Sequence, residues 1–187
     1  MGEGMKRIRE GSESEMGGNR VKGRKRFHKT ITVLVFLFVT IVAASAAVAV
    51  FLMPVIRMSG KSMDPTYQDG DILVLLKSGS YKSGQICCVK WQNKLLIRRV
   101  IGMPGDVINI DESGNVDVNG RRLDEPYAVN KSLGECDLAF PYEVPEGKLF
   151  VLGDHRDTSV DSRSDLVGCV DPDQILGRVL FRIWRGQ

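Results

Sequence analysis

The sequence predicts a mainly β protein: one N-terminal transmembrane helix followed by a β-sheet or open-barrel domain. Two observations carry that reading. Thr30 to Met53 is an uncharged apolar run of 24 residues. After it come short runs of β-type residues separated by turn chemistry, with no long segment of helical period.

A hydrocarbon core of roughly 30 Å needs about 20 apolar helical residues, so the run is long enough to span. It continues well past Ala44-Ser45-Ala46, which favours an anchor over a cleaved leader. The tail before it, residues 1–29, holds nine Lys/Arg against four acids. Such an excess predicts a cytoplasmic tail, an anchor at 30–53 and an extracytoplasmic domain at 54–187. A basic tail can also suggest nucleic acid, but no motif or aromatic pattern supports that partner; membrane lipid is the expected one.

In the outer part, Ile72–Leu76 follows Asp69-Gly70-Asp71, and Gln85–Trp91 follows Lys82-Ser83-Gly84. Lys94–Ile101 follows Gln92-Asn93, a hairpin signal. Val107–Asp111 and Asn115–Val118 flank Ser113-Gly114, and Asn119-Gly120 is a two-residue hairpin turn. Leu149–Leu152 and Ile175–Trp184 complete the set. The composition, 43% hydrophobic and 26% charged, is that of a folded chain. Of four cysteines, Cys87 and Cys88 are strand neighbours on opposite faces and read as packing residues. Cys136 and Cys169 lie in loop-rich sequence where a disulfide is open to them. No Cys-x-x-Cys pair suggests a metal, and no cofactor is expected.

Three segments carry chemistry. Ser59-Gly60-Lys61-Ser62-Met63-Asp64-Pro65-Thr66, running on to Gly70-Asp71, brackets Ser62 with Gly60 and Pro65. A serine nucleophile needs such a constrained turn and a nearby backbone N–H for the oxyanion. In Ile97-Arg98-Arg99-Val100-Ile101-Gly102-Met103-Pro104-Gly105-Asp106, strand alternation sets Leu96, Arg98 and Val100 on one face and Ile97, Arg99 and Ile101 on the other. Arginines among apolar neighbours usually pair with acids or reach solvent. Gly153-Asp154-His155-Arg156-Asp157-Thr158-Ser159-Val160-Asp161-Ser162-Arg163 packs opposite charges among hydroxyls, a scaffold that can brace a site.

In order and spacing these segments resemble the three boxes of type I signal peptidases. The S-M-x-P-T…G-D box matches Ser62 through Asp71. The K-R-x-x-G-x-P-G-D box matches Arg98 through Asp106 except at its first residue, and the G-D-N-R-x-x-S-x-D-S-R box matches Gly153 through Arg163 with His155 in place of Asn. The resemblance implies a membrane serine endopeptidase that cuts signal peptides from exported preproteins after small residues at −1 and −3. It implies Ser62 as nucleophile, its own N–H lining the oxyanion hole, and Ser159 supporting the general base. Asp161 and Arg163 are implied as a supporting ion pair, and Asp154 as a brace for the loop.

Arg98 stands where the family has its general-base lysine. Burial can strip the charge from a lysine. An arginine keeps its charge far above neutral pH, and making it neutral near pH 7 would cost on the order of 8 kcal/mol. Lys94 shares the face of Arg98 but lies about 13 Å along the strand. His28 falls in the tail, His155 holds a structural position in the third box, and Lys61 is adjacent to Ser62, where neighbouring side chains rarely face each other. Two further readings follow. One is a non-catalytic homologue that binds signal peptides or an export partner. The other, a relative of self-cleaving repressors, would require a DNA-binding helix pair where the apolar span stands.

Overall fold

The computed structural model describes residues 29–48, 50–77, 79–134 and 136–186. The basic tail expected at the N-terminus lies, up to residue 28, outside the described residues. The chain forms two units, one ending at Val50 and the other spanning Phe51–Gln187. Helix α1, Lys29–Leu52, is long and apolar enough to cross a membrane. Its large side chains, among them Phe36, Phe38 and Ile41, are exposed. Pro54, which has no N–H to continue a helix, follows after Met53.

The second unit is built from strands β1 (Val55–Arg57), β2 (Ile72–Leu76), β3 (Ile86–Trp91), β4 (Lys94–Gly102), β5 (Val107–Ile110), β6 (Val116–Val118), β7 (Arg121–Arg122), β8 (Tyr142–Glu143), β9 (Phe150–Leu152) and β10 (Ile175–Trp184). A short 3₁₀ turn, Pro172–Gln174, leads into β10. The strands form two sheets, ordered β1-β2-β10-β3-β4-β9 and β7-β6-β5-β8, with every ladder antiparallel. Neither sheet closes into a barrel among the described residues.

Local chemistry sets the tight turns. Gln92 takes a positive φ of 51° between β3 and β4, whose last pair is Trp91 with Lys94. Asn119 and Gly120 both have positive φ, 53° and 74°, as a two-residue turn of the twist-matched kind requires. Val118 pairs with Arg121 across it.

Strand alternation sends β4 side chains into different cores. Val100 packs with Cys87, Val89 and Val151. Ile97 packs with Cys88, Met63 and Leu73. Ile101 joins Ile108, Val116 and Phe150 beneath the smaller sheet. Cys87 and Cys88 therefore face separate clusters as buried thiols, and Cys136 and Cys169 are also free.

The Met58–Asp71 loop, which carries Ser62, is pinned at its base. Met58 N–H donates to the Asp71 carbonyl (2.7 Å) and Gly70 N–H to the Met58 carbonyl (3.0 Å). The fully buried Asp71 carboxylate accepts from Arg182 Nη1 (2.7 Å) and from the N–H of Gln68 (3.0 Å) and Gly186 (2.8 Å). One carboxylate thus joins the loop, β10 and the chain end. Burial alone would raise its pKa, but the guanidinium and the two N–H donors outweigh that and hold it below its ordinary value.

Candidate active site

The arrangement around Ser62 begins with backbone geometry. Gly153 follows β9, where the chain must pass very close to the Ser62 loop. A Cβ on Gly153 would sit 1.9 Å from Ser159 Oγ and 2.7 Å from the Ser62 carbonyl oxygen. Only glycine permits that approach. Two donors then hold the Ser62 carbonyl: His155 N–H (3.1 Å) and Ser159 Oγ (3.0 Å). The Ser159 hydroxyl has a second acceptor in the His155 carbonyl at 2.6 Å.

Arg98 reaches Ser62 from β4. Its Nη1 donates to Ser62 Oγ (2.8 Å) and to the carbonyl of Ile97 (2.5 Å). Nε and Nη2 both donate to the Val160 carbonyl, at 3.1 and 2.7 Å. The guanidinium is therefore clamped by two loops and its own strand, with only 3% of the residue exposed. Burial pulls its pKa below the usual arginine value, partly offset by the nearby Asp161 charge. It remains a donor and is no base at neutral pH.

Beneath this contact lies a layer of buried ion pairs. Arg99 meets Asp154 through two bonds (2.8 and 2.5 Å), and its guanidinium covers the Tyr127 ring at 3.7 Å. Thr66 Oγ1 also donates to Asp154, at 2.5 Å, which fastens the Ser62 loop to the third box. Asp161 accepts Arg163 Nε (2.8 Å), Arg163 Nη2 (2.9 Å) and Gly153 N–H (3.0 Å). Arg163 further donates to the carbonyls of Ser132, Leu133, Arg156 and Ser159. Arg156 pairs with Glu125, both buried.

Ser62, Arg98, Ser159, Asp154, Asp161 and Arg163 are thus gathered in one region. Ser159 hydrogen-bonds backbone around Ser62 and, among the described residues, makes no hydrogen bond to Arg98. The sequence reading missed Glu125 and Tyr127. Glu125 is 31 positions from Arg156 in an ordinary polar stretch, so no local signal marks it. The His155 ring, which replaces the family's Asn, bonds Asp157 (2.6 Å) and Thr158 (3.0 Å).

Ser62 and Arg98 form one end of a groove of about 490 Å³, lined also by Ile56, Met58, Leu95 and Leu96 and by the charged Arg57 and Lys94. β1 is an edge strand, and β9 covers β4 only from Arg99 to Gly102. The Lys94–Arg98 edge is therefore open. Four successive antiparallel pairings separate β1 from β4, so the two run the same way, both towards Ser62. A channel between two free strand edges suits an extended peptide, which can add as a strand.

A serine hydroxyl at the head of a strand-sized groove, braced by buried ion pairs, has the architecture of a serine peptidase. Residues 30–184 match the family model described as signal peptidase, peptidase S26. The chain is 34% identical over 154 residues to a signal peptidase I of Bacillus licheniformis, covering 75% of this chain and 81% of that protein. It is equally 34% identical over 154 residues to a signal peptidase IB of Staphylococcus aureus, covering 72% and 79%. A crystal structure of a signal peptidase I from Enterococcus faecalis aligns with 26% identity and a TM-score of 0.45, over 55% of this chain and 97% of that one. The chain belongs to the signal peptidase family, peptidase S26, whose serine endopeptidases remove signal peptides and are anchored in the membrane.

Proposed function

We propose that this signal peptidase uses Ser62 as its nucleophile on preproteins held as an added strand between β1 and β4. The observation that carries the reading is the position of Ser62 Oγ, 2.8 Å from Arg98 Nη1, at the head of the groove. The apolar walls from Ile56, Met58, Leu95 and Leu96 suit the uncharged segment before a cleavage point. Attack by Oγ on the scissile carbonyl develops charge on the carbonyl oxygen, for which the Ser62 N–H is the assigned donor. The C–N bond then breaks, the amine leaves with the proton that Oγ gives up, and an acyl-enzyme remains.

Arg98 holds positive charge against Ser62 Oγ. That favours negative charge on the oxygen but offers no lone pair to take its proton. Asp154, Asp161 and Arg163 keep the two loops in register, and Ser159 fixes the Ser62 carbonyl. Arg98 thus replaces proton acceptance with electrostatic support, and cleavage is slow. The division proposed is a cytoplasmic tail at 1–29, an anchor at 30–53 and an extracytoplasmic domain at 54–187 on the membrane surface.

The test is a preprotein incubated with purified full chain in detergent, with the cut mapped by mass spectrometry. One cut after small residues at −1 and −3, abolished by a bulky −1 residue in the preprotein, is expected. Cleavage indifferent to that residue would overturn the reading.

A further inference from the structure

Among the described residues four arginines are buried: Arg98, Arg99, Arg156 and Arg163. Three of them have a buried carboxylate each. Arg99 takes Asp154, Arg156 takes Glu125 and Arg163 takes Asp161. Arg98 has none. Its acceptors are two carbonyls and a hydroxyl, all neutral. Buried charges are normally paired, because leaving water without a counter-charge is costly. Of these four arginines it is the one that lines the groove, where the exposed cations Arg57 and Lys94 also lie.

Its donors can be counted. A guanidinium has five N–H bonds. One on Nε and one on Nη2 go to Val160, and the two on Nη1 go to Ile97 and Ser62. The second N–H on Nη2 is left over, and the one held by Ser62 Oγ can be exchanged for a stronger acceptor. A carboxylate is that acceptor, and charge-assisted bonds to arginine are roughly twice as strong as neutral ones. The rest of the groove selects which carboxylate. The apolar side chains of Ile56, Met58, Leu95 and Leu96 and two parallel strand edges suit an extended uncharged segment, whose carboxylate at the Ser62 end is its terminal one.

We propose that Arg98 makes the Ser62 end of the groove a binding site for the free C-terminal carboxylate of an extended peptide. This rests on the reading of the groove as the peptide site. Hydrolysis of the Ser62 acyl-enzyme, with water giving OH to the acyl carbon and H back to Ser62 Oγ, produces such a terminus in place. The cleaved signal peptide is therefore retained, and the chain is inhibited by its own product.

The test compares two synthetic peptides carrying the last eight residues of a signal peptide, one ending in a free acid and one in an amide. Binding to the full chain in detergent is read by fluorescence anisotropy at pH 7.5. The acid binds at least about tenfold more tightly, and Arg98→Gln, with its fold checked by circular dichroism, removes the difference. If that variant does not fold, the same comparison in Arg57→Gln and Lys94→Gln decides: a preference kept in both leaves Arg98 as its source, and a preference lost in either overturns the proposal. Equal affinities, or a tighter amide, would overturn the proposal while leaving preprotein cleavage as an independent check on the groove. Failure of both peptides to bind would sink the proposal and the groove reading with it.

Discussion

Arg98 Nη1 donates to Ser62 Oγ across 2.8 Å, so the residue nearest the serine hydroxyl gives a hydrogen bond and takes none. The guanidinium places positive charge against that oxygen and offers it no base.

Replacing Arg98 by lysine therefore raises preprotein cleavage. An increase of at least about tenfold is expected, a barrier change of about 1.4 kcal/mol. The sign with pH follows from burial, which lowers a lysine's pKa and leaves the neutral amine as the active form. Cleavage by Arg98→Lys thus climbs towards alkaline pH. A rate as low as that of the wild type at every pH would place the defect elsewhere.

Asp161→Ala leaves Arg163 buried without its carboxylate and removes the acceptor of Gly153 N–H. Breaking a buried pair on one side costs roughly 3–5 kcal/mol. Calorimetry should record a clear drop in Tm together with lost cleavage. An unchanged Tm would reduce the third box to a solvated loop.

The Asp71 carboxylate is held below its ordinary value of 3.8 by Arg182 and two N–H donors. Its folded pKa is depressed, so its stabilisation is complete above the unfolded value and is lost as pH falls through the folded one. Urea titrations below about pH 4 should show this loss in the wild type, and Asp71→Asn should flatten that part of the curve. Equal acid sensitivity in both chains would contradict it.

Burial pushes the thiols of Cys87 and Cys88 up to about 12. Neither reacts with an aromatic disulfide reagent in the native chain at pH 8, while both react in guanidinium, as peptide mapping would record. Labelling of either in the native state would contradict the packing described.

The strands most legible in the sequence were those with their own turn chemistry. Asn119-Gly120 and Gln92-Asn93 mark hairpins because the turn residues are themselves the signal. β7 and β8 were missed because each has two residues, and β1 because three residues beside a long apolar run show no alternation. Box order gave the neighbourhood of Ser62, Arg98 and the third box. The carboxylate pairing of Arg99 and its absence at Arg98 were not legible, because partners 55 positions apart are chosen by the folded chain. The expectation that both arginines find acids or solvent holds for Arg99 alone.

Protease added to spheroplasts is expected to digest 54–187 and spare the N-terminal segment, the orientation that the excess of basic residues before α1 predicts. Protection of the C-terminal part would reverse the orientation.

The most direct test of Ser62 as nucleophile is cleavage of a preprotein by the full chain beside Ser62→Ala and Ser59→Ala, each with its Tm recorded. Both serines line the groove, but only Ser62 is bonded to Arg98. Ser62→Ala is expected to fold normally and yield no processed product over a day, while Ser59→Ala cleaves within a few-fold of wild type. Processing retained by Ser62→Ala would contradict the assignment.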